Sequence, residues 1–203
     1  MADVNRSEGR GWAARMVFEG LLIVLSILLA LAVNQWQDAR RERRLADQAL
    51  ASFRQEIAAN RARLRELVPY HERVRDEMRR LDAEGAVTRY ADLQKIRGFQ
   101  GFRPAFLLET AWRTAIATGA LTHIDYRTAT ALSTTYTLQE RVDELNRAVL
   151  PAMAGGGALS DAQAAATLRQ GAVYLSDVAG LEREVLTTYD EMLAGLDRRP
   201  HRR

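Results

Sequence analysis

Between Met16 and Val33 the chain reads MVFEGLLIVLSILLALAV, a run whose only charge is Glu19. As an α-helix these residues extend about 27 Å, close to the roughly 30 Å thickness of a bilayer's hydrocarbon core. Trp12 and Trp36 flank the run. Their separation along a helix is about 36 Å, which sets both indoles at headgroup level as interface anchors. Inside lipid the backbone has no water to bond, so a lone span must be helical. The reading is a transmembrane helix over 16–36, after a basic N-terminal tail over 1–15. It is followed by a helical bundle domain over 37–197 and a basic C-terminal tail over 198–203.

Two rival readings share this run. A cleavable signal peptide would use Arg6, Arg10 and Arg15 as its basic head and Ala30-Leu31-Ala32 as an A-x-A site. Against it, no helix breaker precedes that site and the helical pattern continues past it. A buried soluble helix is the third option. The anchor is preferred. Its orientation is less constrained, because Arg6, Arg10 and Arg15 before the span are balanced by Arg40, Arg41, Arg43 and Arg44 after it. A short basic tail ahead of a first span usually stays in the cytoplasm. The expectation is therefore a single-pass protein of the bacterial inner membrane with a periplasmic C-terminal domain.

Within the span, Glu19 has two readings. It snorkels to the interface near the positive end of the helix dipole, or it pairs with a basic or hydroxyl group on a partner helix. Ser26 and Ala30 form a small-xxx-small pair that permits close helix approach. Glu19, Ser26 and Ala30 are thus the candidate contacts within the bilayer.

The run EGLLIVLSILLALAVNQW (Glu19 to Trp36) and the following QDARRERR resemble the start of a family of uncharacterised bacterial single-pass membrane proteins. That family has a Glu at the head of the span, a Gly-Ile-Leu-Ile-Ala-Leu-like centre and an Asn-x-Trp exit followed by acidic residues and Arg. Glu19, Ile27, Leu28, Ala30, Leu31, Asn34 and Trp36 match that pattern. Ser26 replaces the usual Gly, and Ala32 a frequent Gln. The stretch AWRTAIATGALTHIDYRTATALSTTY, Ala111 to Tyr136, is similar to a second family segment, two helices joined by a small residue-Gly-x-Leu turn. The resemblance implies a single-pass architecture. It implies no reaction, since the family has no established activity.

After Trp36 the pattern stays helical. Leu50, Phe53, Ile57, Asn60, Leu64, Leu67, His71, Val74, Met78 and Leu81 alternate spacings of three and four, the seam of a coiled coil or bundle helix. Phe53, Ile57, Asn60, Leu64 and His71 are its central positions. Asn60 and His71 are polar, as register-setting seam residues often are. Pro69 is expected to kink the helix near Arg65, and Gly85 to stop it. Further helices are expected over Thr88–Ile96, over Ala105–Thr118 with Phe106, Leu107, Thr110, Ala111, Thr114 and Ala117 inward, and over Asp125–Leu150, ended by Pro151. Gly155-Gly156-Gly157 reads as a linker. The last helix runs from an Ser160 N-cap to about Leu196. Its seam is Gly171, Leu175, Val178, Glu182, Val185, Tyr189, Met192 and Leu196, with Glu182 read as a break that Leu181 fills. No long run alternates with period two. The fold class is all-α, an N-terminal transmembrane helix continuing into a membrane-adjacent bundle.

Motifs for chemistry are missing. The basic residues are 28 Arg and one Lys, interleaved with acids, so a nucleic-acid partner is not expected. There is no cysteine, and His71, His123 and His201 lack metal-ligand spacing, so no metal or cofactor is expected. His71 reads as a seam residue and His123 as a turn residue. No Walker sequence or G-x-S-x-G elbow is present. Trp112, Tyr126 and Tyr136 either line a pocket or pack in the core. The expectation is a non-enzymatic, membrane-anchored scaffolding protein, an accessory subunit of a larger complex. Its partners are the lipid bilayer and integral membrane proteins or further copies of itself, met through helices. The alternative is a periplasmic helical-bundle sensor that binds a small ligand. An enzyme whose site is assembled only by the fold is a third, weaker option.

Overall fold

The computed structural model describes residues 5–154 and 160–198. Its α-helices are α1 (Asn5–Ala83), α2 (Thr110–Ala117), α3 (Tyr126–Ala154) and α4 (Ala164–Asp197), with short 3-10 turns at Tyr90–Lys95, Ala120–His123 and Asp161–Gln163. Among the described residues there is no strand, so the fold is all-α. The chain divides into two compact units, 1–47 and 48–203.

The first unit is the N-terminal part of α1. Every side chain from Met16 to Asp38 is exposed. Leucine, isoleucine and valine occupy all sides of this helix, so it has no polar face to offer water. Among the described residues it is the one helix long and apolar enough to cross a membrane.

The second unit is a helical bundle. The remainder of α1 buries Phe53, Ile57, Asn60, Leu64, Leu67, His71, Val74, Met78 and Leu81 of the seam read from the three-four spacing, and leaves its first position, Leu50, half-buried. Pro69 does not end the helix. Pro69 and Arg65 are both exposed on one face, so the Arg65 carbonyl that loses its donor is turned to water. Gly85 follows the helix with φ +60°, the left-handed conformation that favours glycine. The expected helix at Thr88–Ile96 is a 3-10 turn over Tyr90–Lys95. Asp92 organises it, accepting from the backbone N–H of Thr88 (3.0 Å) and Arg89 (2.9 Å), with the Lys95 ammonium 3.1 Å away. The Thr88 N–H, then Lys95 and the Arg89 N–H, hold its carboxyl well below the usual carboxylate range.

The expected helix over Ala105–Thr118 is corrected to α2 alone. Residues 104–109 have no regular secondary structure. Ala105 and Leu107 are buried while Phe106 and Leu108 are exposed, a period-two alternation that a helix lacks. Thr110, Thr114 and Ala117 also face outward, leaving Ala111 and Ala115 as the buried side of α2. Gly119, at φ +70°, turns the chain after α2. Asp125 caps α3 by accepting the Thr128 N–H at 3.1 Å. Pro151 does not stop α3, which continues to Ala154. Ser160 occupies the N-cap position of the 3-10 turn that precedes α4 rather than that of α4 itself. All eight seam positions of α4, from Gly171 to Leu196, are buried. Gly171 lets α4 approach α1 closely, since a Cβ there would lie 3.2 Å from the Met78 sulfur.

Candidate functional site

Two features carry the chemistry of this chain. One is the exposed apolar helix, and the other is a polar network inside the bundle.

In the helix, Glu19, Ser26 and Ala30 are exposed. The Ser26 hydroxyl donates to the Leu22 carbonyl at 2.7 Å, a back-bond that satisfies it without a partner and leaves a nearly smooth surface. Trp36 is exposed, and the Arg40 guanidinium lies over its ring, 5.2 Å from the centroid. Trp12 lies in α1, but its side chain is outside those described.

The bundle is built around polar groups on its seams. Each joins helices to residues 102–109, which have no regular secondary structure, or to the start of α2. Glu56 accepts from the Tyr136 hydroxyl of α3 (2.7 Å) and from the Ala111 N–H in the first turn of α2 (2.9 Å). A carboxylate from α1 thus caps a helix distant in sequence, where the dipole favours negative charge. One turn on, the Asn60 amide brackets Leu108. Its Oδ1 accepts the Leu108 N–H and its Nδ2 donates to the Leu108 carbonyl, each at 2.8 Å. Gln139 of α3 donates to the same carbonyl at 3.0 Å and accepts from the Tyr189 hydroxyl of α4 at 2.6 Å. Tyr174 of α4 donates to Asn146 of α3 at 2.8 Å, and Asn146 reaches the Ala105 carbonyl at 3.5 Å.

His71 and Glu182 form the most buried of these nodes, both fully inaccessible. His71 Nδ1 lies 2.8 Å from Glu182 Oε2. Its Nε2 lies 3.0 Å from the Phe102 carbonyl and 3.2 Å from that of Arg103. Carbonyls only accept, so Nε2 carries a proton. Arg103 holds a left-handed φ of 46°, fixed by this contact, by its own bond to Glu66 at 2.7 Å and by packing over the Tyr70 ring. Glu182 is therefore no break in the α4 seam, and Leu181 does not replace it. Glu182 occupies the seam and reaches His71 across it.

Burial raises the tyrosine hydroxyls in this core. Tyr136 and Tyr189 sit above their usual range, Tyr136 further because of the Glu56 carboxylate beside it. Tyr174 is pushed up to about 12, first by burial and then by the charge of Glu182. All three remain protonated donors at physiological pH. A His–Glu pair is also the start of a hydrolytic relay. Here Nε2, the nitrogen that would face a nucleophile, is committed to two carbonyls, and the pair has no access to solvent. The arrangement clamps a loop.

Of the aromatic residues, Trp112 stacks on Tyr136 (5.2 Å between centroids) beside Phe53, while Tyr126 is exposed and does not join them. His123 falls in the Ala120–His123 turn. His201 and Gly155-Gly156-Gly157 lie outside the described residues. Among the described residues no cluster of His, Asp and Glu is arranged to hold a metal. Glu56, Gln139, Asn146, Tyr174 and Glu182 were not among the expected site residues. The available signal was their seam spacing, which in α3 runs Leu132, Thr135, Gln139, Val142, Asn146.

No protein-family model, curated protein or solved structure matches this chain.

Proposed function

We propose that the protein is a non-enzymatic, single-pass membrane anchor carrying a helical scaffolding domain, and that it serves as an accessory subunit of a larger membrane complex of the bacterial inner membrane. The observation that carries this reading is the apolar helix. Leu21, Ile23, Leu25, Leu28 and Leu29 are all more than half exposed. Apolar surface of that extent needs lipid or another helix around it.

Anchoring confines the bundle to a thin layer beside the bilayer and raises its effective concentration towards membrane partners. Glu19, Ser26 and Ala30 supply helix contacts within the bilayer. The seam residues Phe53, Ile57, Asn60, Leu64 and His71 hold the bundle together rather than meet a partner, because they are buried within it. The proposed topology has the bundle in the periplasm, and a C-terminal reporter fusion tests it. Mild-detergent purification from cells at native expression, followed by mass spectrometry, tests the subunit role. The expected result is stoichiometric co-purification of an integral membrane protein. Recovery of monomer or homodimer alone contradicts it.

A further inference from the structure

The segment that leaves the apolar run is WQDARRERR, Trp36 to Arg44. Arg40, Arg41, Arg43 and Arg44 are all exposed. The run also carries Asp38 and Glu42, so its net charge is only mildly positive. The arrangement of those charges is not mixed, however.

On a helix each residue turns about 100°. With Arg40 at zero, Trp36 lies at about −40°, Arg43 at about −60°, Arg44 at about +40° and Arg41 at about +100°. The four guanidiniums and the indole share one arc of about 160°. Asp38 and Glu42 fall at about 160° and 200°, on the opposite side. The Arg40–Trp36 contact lies within the basic arc.

Depth gives the second argument. Arg40 and Arg41 follow Trp36 by about 6 and 7.5 Å of helix rise, and Arg43 and Arg44 by about 10.5 and 12 Å. Side chains on a helix lean towards its N-terminus, here back towards the apolar run. Arginine's long arm shortens the remaining distance to a headgroup layer several ångströms thick.

We infer that Arg40, Arg41, Arg43 and Arg44 form a one-sided collar that binds the phosphodiester headgroups of anionic phospholipids, with Trp36 fixing its depth. This rests on the membrane span proposed above. Guanidinium groups match phosphate oxygens in charge and in forked geometry, and basic residues this near a bilayer recruit anionic lipid. The collar uses the same lipid on either face of a bacterial membrane, so it does not depend on topology.

The test reconstitutes the full chain into vesicles of phosphatidylcholine alone or mixed equally with phosphatidylglycerol. Flotation reports insertion. Mass spectrometry of lipid retained after extraction into mild detergent reports selectivity. The expected outcome is flotation with both vesicle types and several-fold enrichment of phosphatidylglycerol. That enrichment falls with added salt and is lost when Arg40, Arg41, Arg43 and Arg44 are all changed to Gln. It is kept or increased in Asp38→Asn with Glu42→Gln. Flotation without enrichment, or enrichment that survives the fourfold Gln change, overturns the collar and leaves the span standing. Failure to float with either vesicle type contradicts the span itself, and the collar with it.

Discussion

Helix α1 contributes to both compact units, and the two parts invert each other. Over 16–33 the apolar side chains are outside. Over 48–83 the buried set includes Glu56, Asn60 and His71. One helix therefore carries grease on its surface at one end and hydrogen-bonding groups in its interior at the other. Secondary structure does not distinguish these parts; what each leaves exposed does. In lipid an apolar surface is the stable one and internal polarity has no special value. In water the bundle hides its apolar residues, and each polar group it hides must find a partner. The bundle meets most of that demand by directing Asn60, Gln139, Asn146 and His71 at the backbone of residues 102–109, a stretch with no helix or strand to bond it, while the second Glu182 oxygen, Oε1, is buried without a hydrogen-bond partner.

The comparison breaks most sharply at His71 and Glu182. Replacing His71 with Leu leaves a buried carboxylate and two carbonyls without donors, and urea denaturation should show a loss of about 3–5 kcal/mol. Glu182→Gln is the milder change. Its amide keeps a hydrogen bond to Nδ1, donating where the carboxylate accepted, so a cost below about 1.5 kcal/mol is expected. Equal losses for the two variants would show that charge, not hydrogen bonding, holds the node.

At the other end, Leu25→Arg places a guanidinium near mid-span. The insertion penalty is about 2.5–3.5 kcal/mol. Membrane recovery should fall while the thermal unfolding of the bundle stays unchanged, and a parallel loss of both would show that the two units are not independent. Tyr189→Phe removes one donor from Gln139, which keeps its Asn60 contact. A destabilisation of about 1 kcal/mol is expected in the same urea assay.

The smallest effect concerns Asp92→Asn. Because the folded carboxyl lies below its usual range, Asp92 stabilises the fold above that range. The contribution is lost as pH falls through the folded value. The melting difference between wild type and variant should be present at neutral pH and shrink on acidification. A difference that grows in acid contradicts the assigned bonds.

The sequence showed the two ends of α1 with unequal clarity. The apolar helix over 16–33 and the seam from Phe53 to Leu81 were legible because each is a long repetition of one rule. Residues 104–109 were not. Their alternation covers only Ala105 to Leu108, and what holds them extended is Asn60, 48 residues away. Glu182 was misread for the same reason. An acid on an apolar seam looks like an interruption until its partner, 111 residues distant, is known. Pro151 was over-read as a helix stop, since an exposed helix face lets water take the carbonyl that proline leaves.

The account's most direct test is alkaline carbonate extraction of cell membranes combined with intact-mass measurement of the mature chain. The predicted result is a polypeptide that retains the Met16–Val33 segment and stays in the membrane pellet. A mature chain starting at Val33 and released into the supernatant would contradict it.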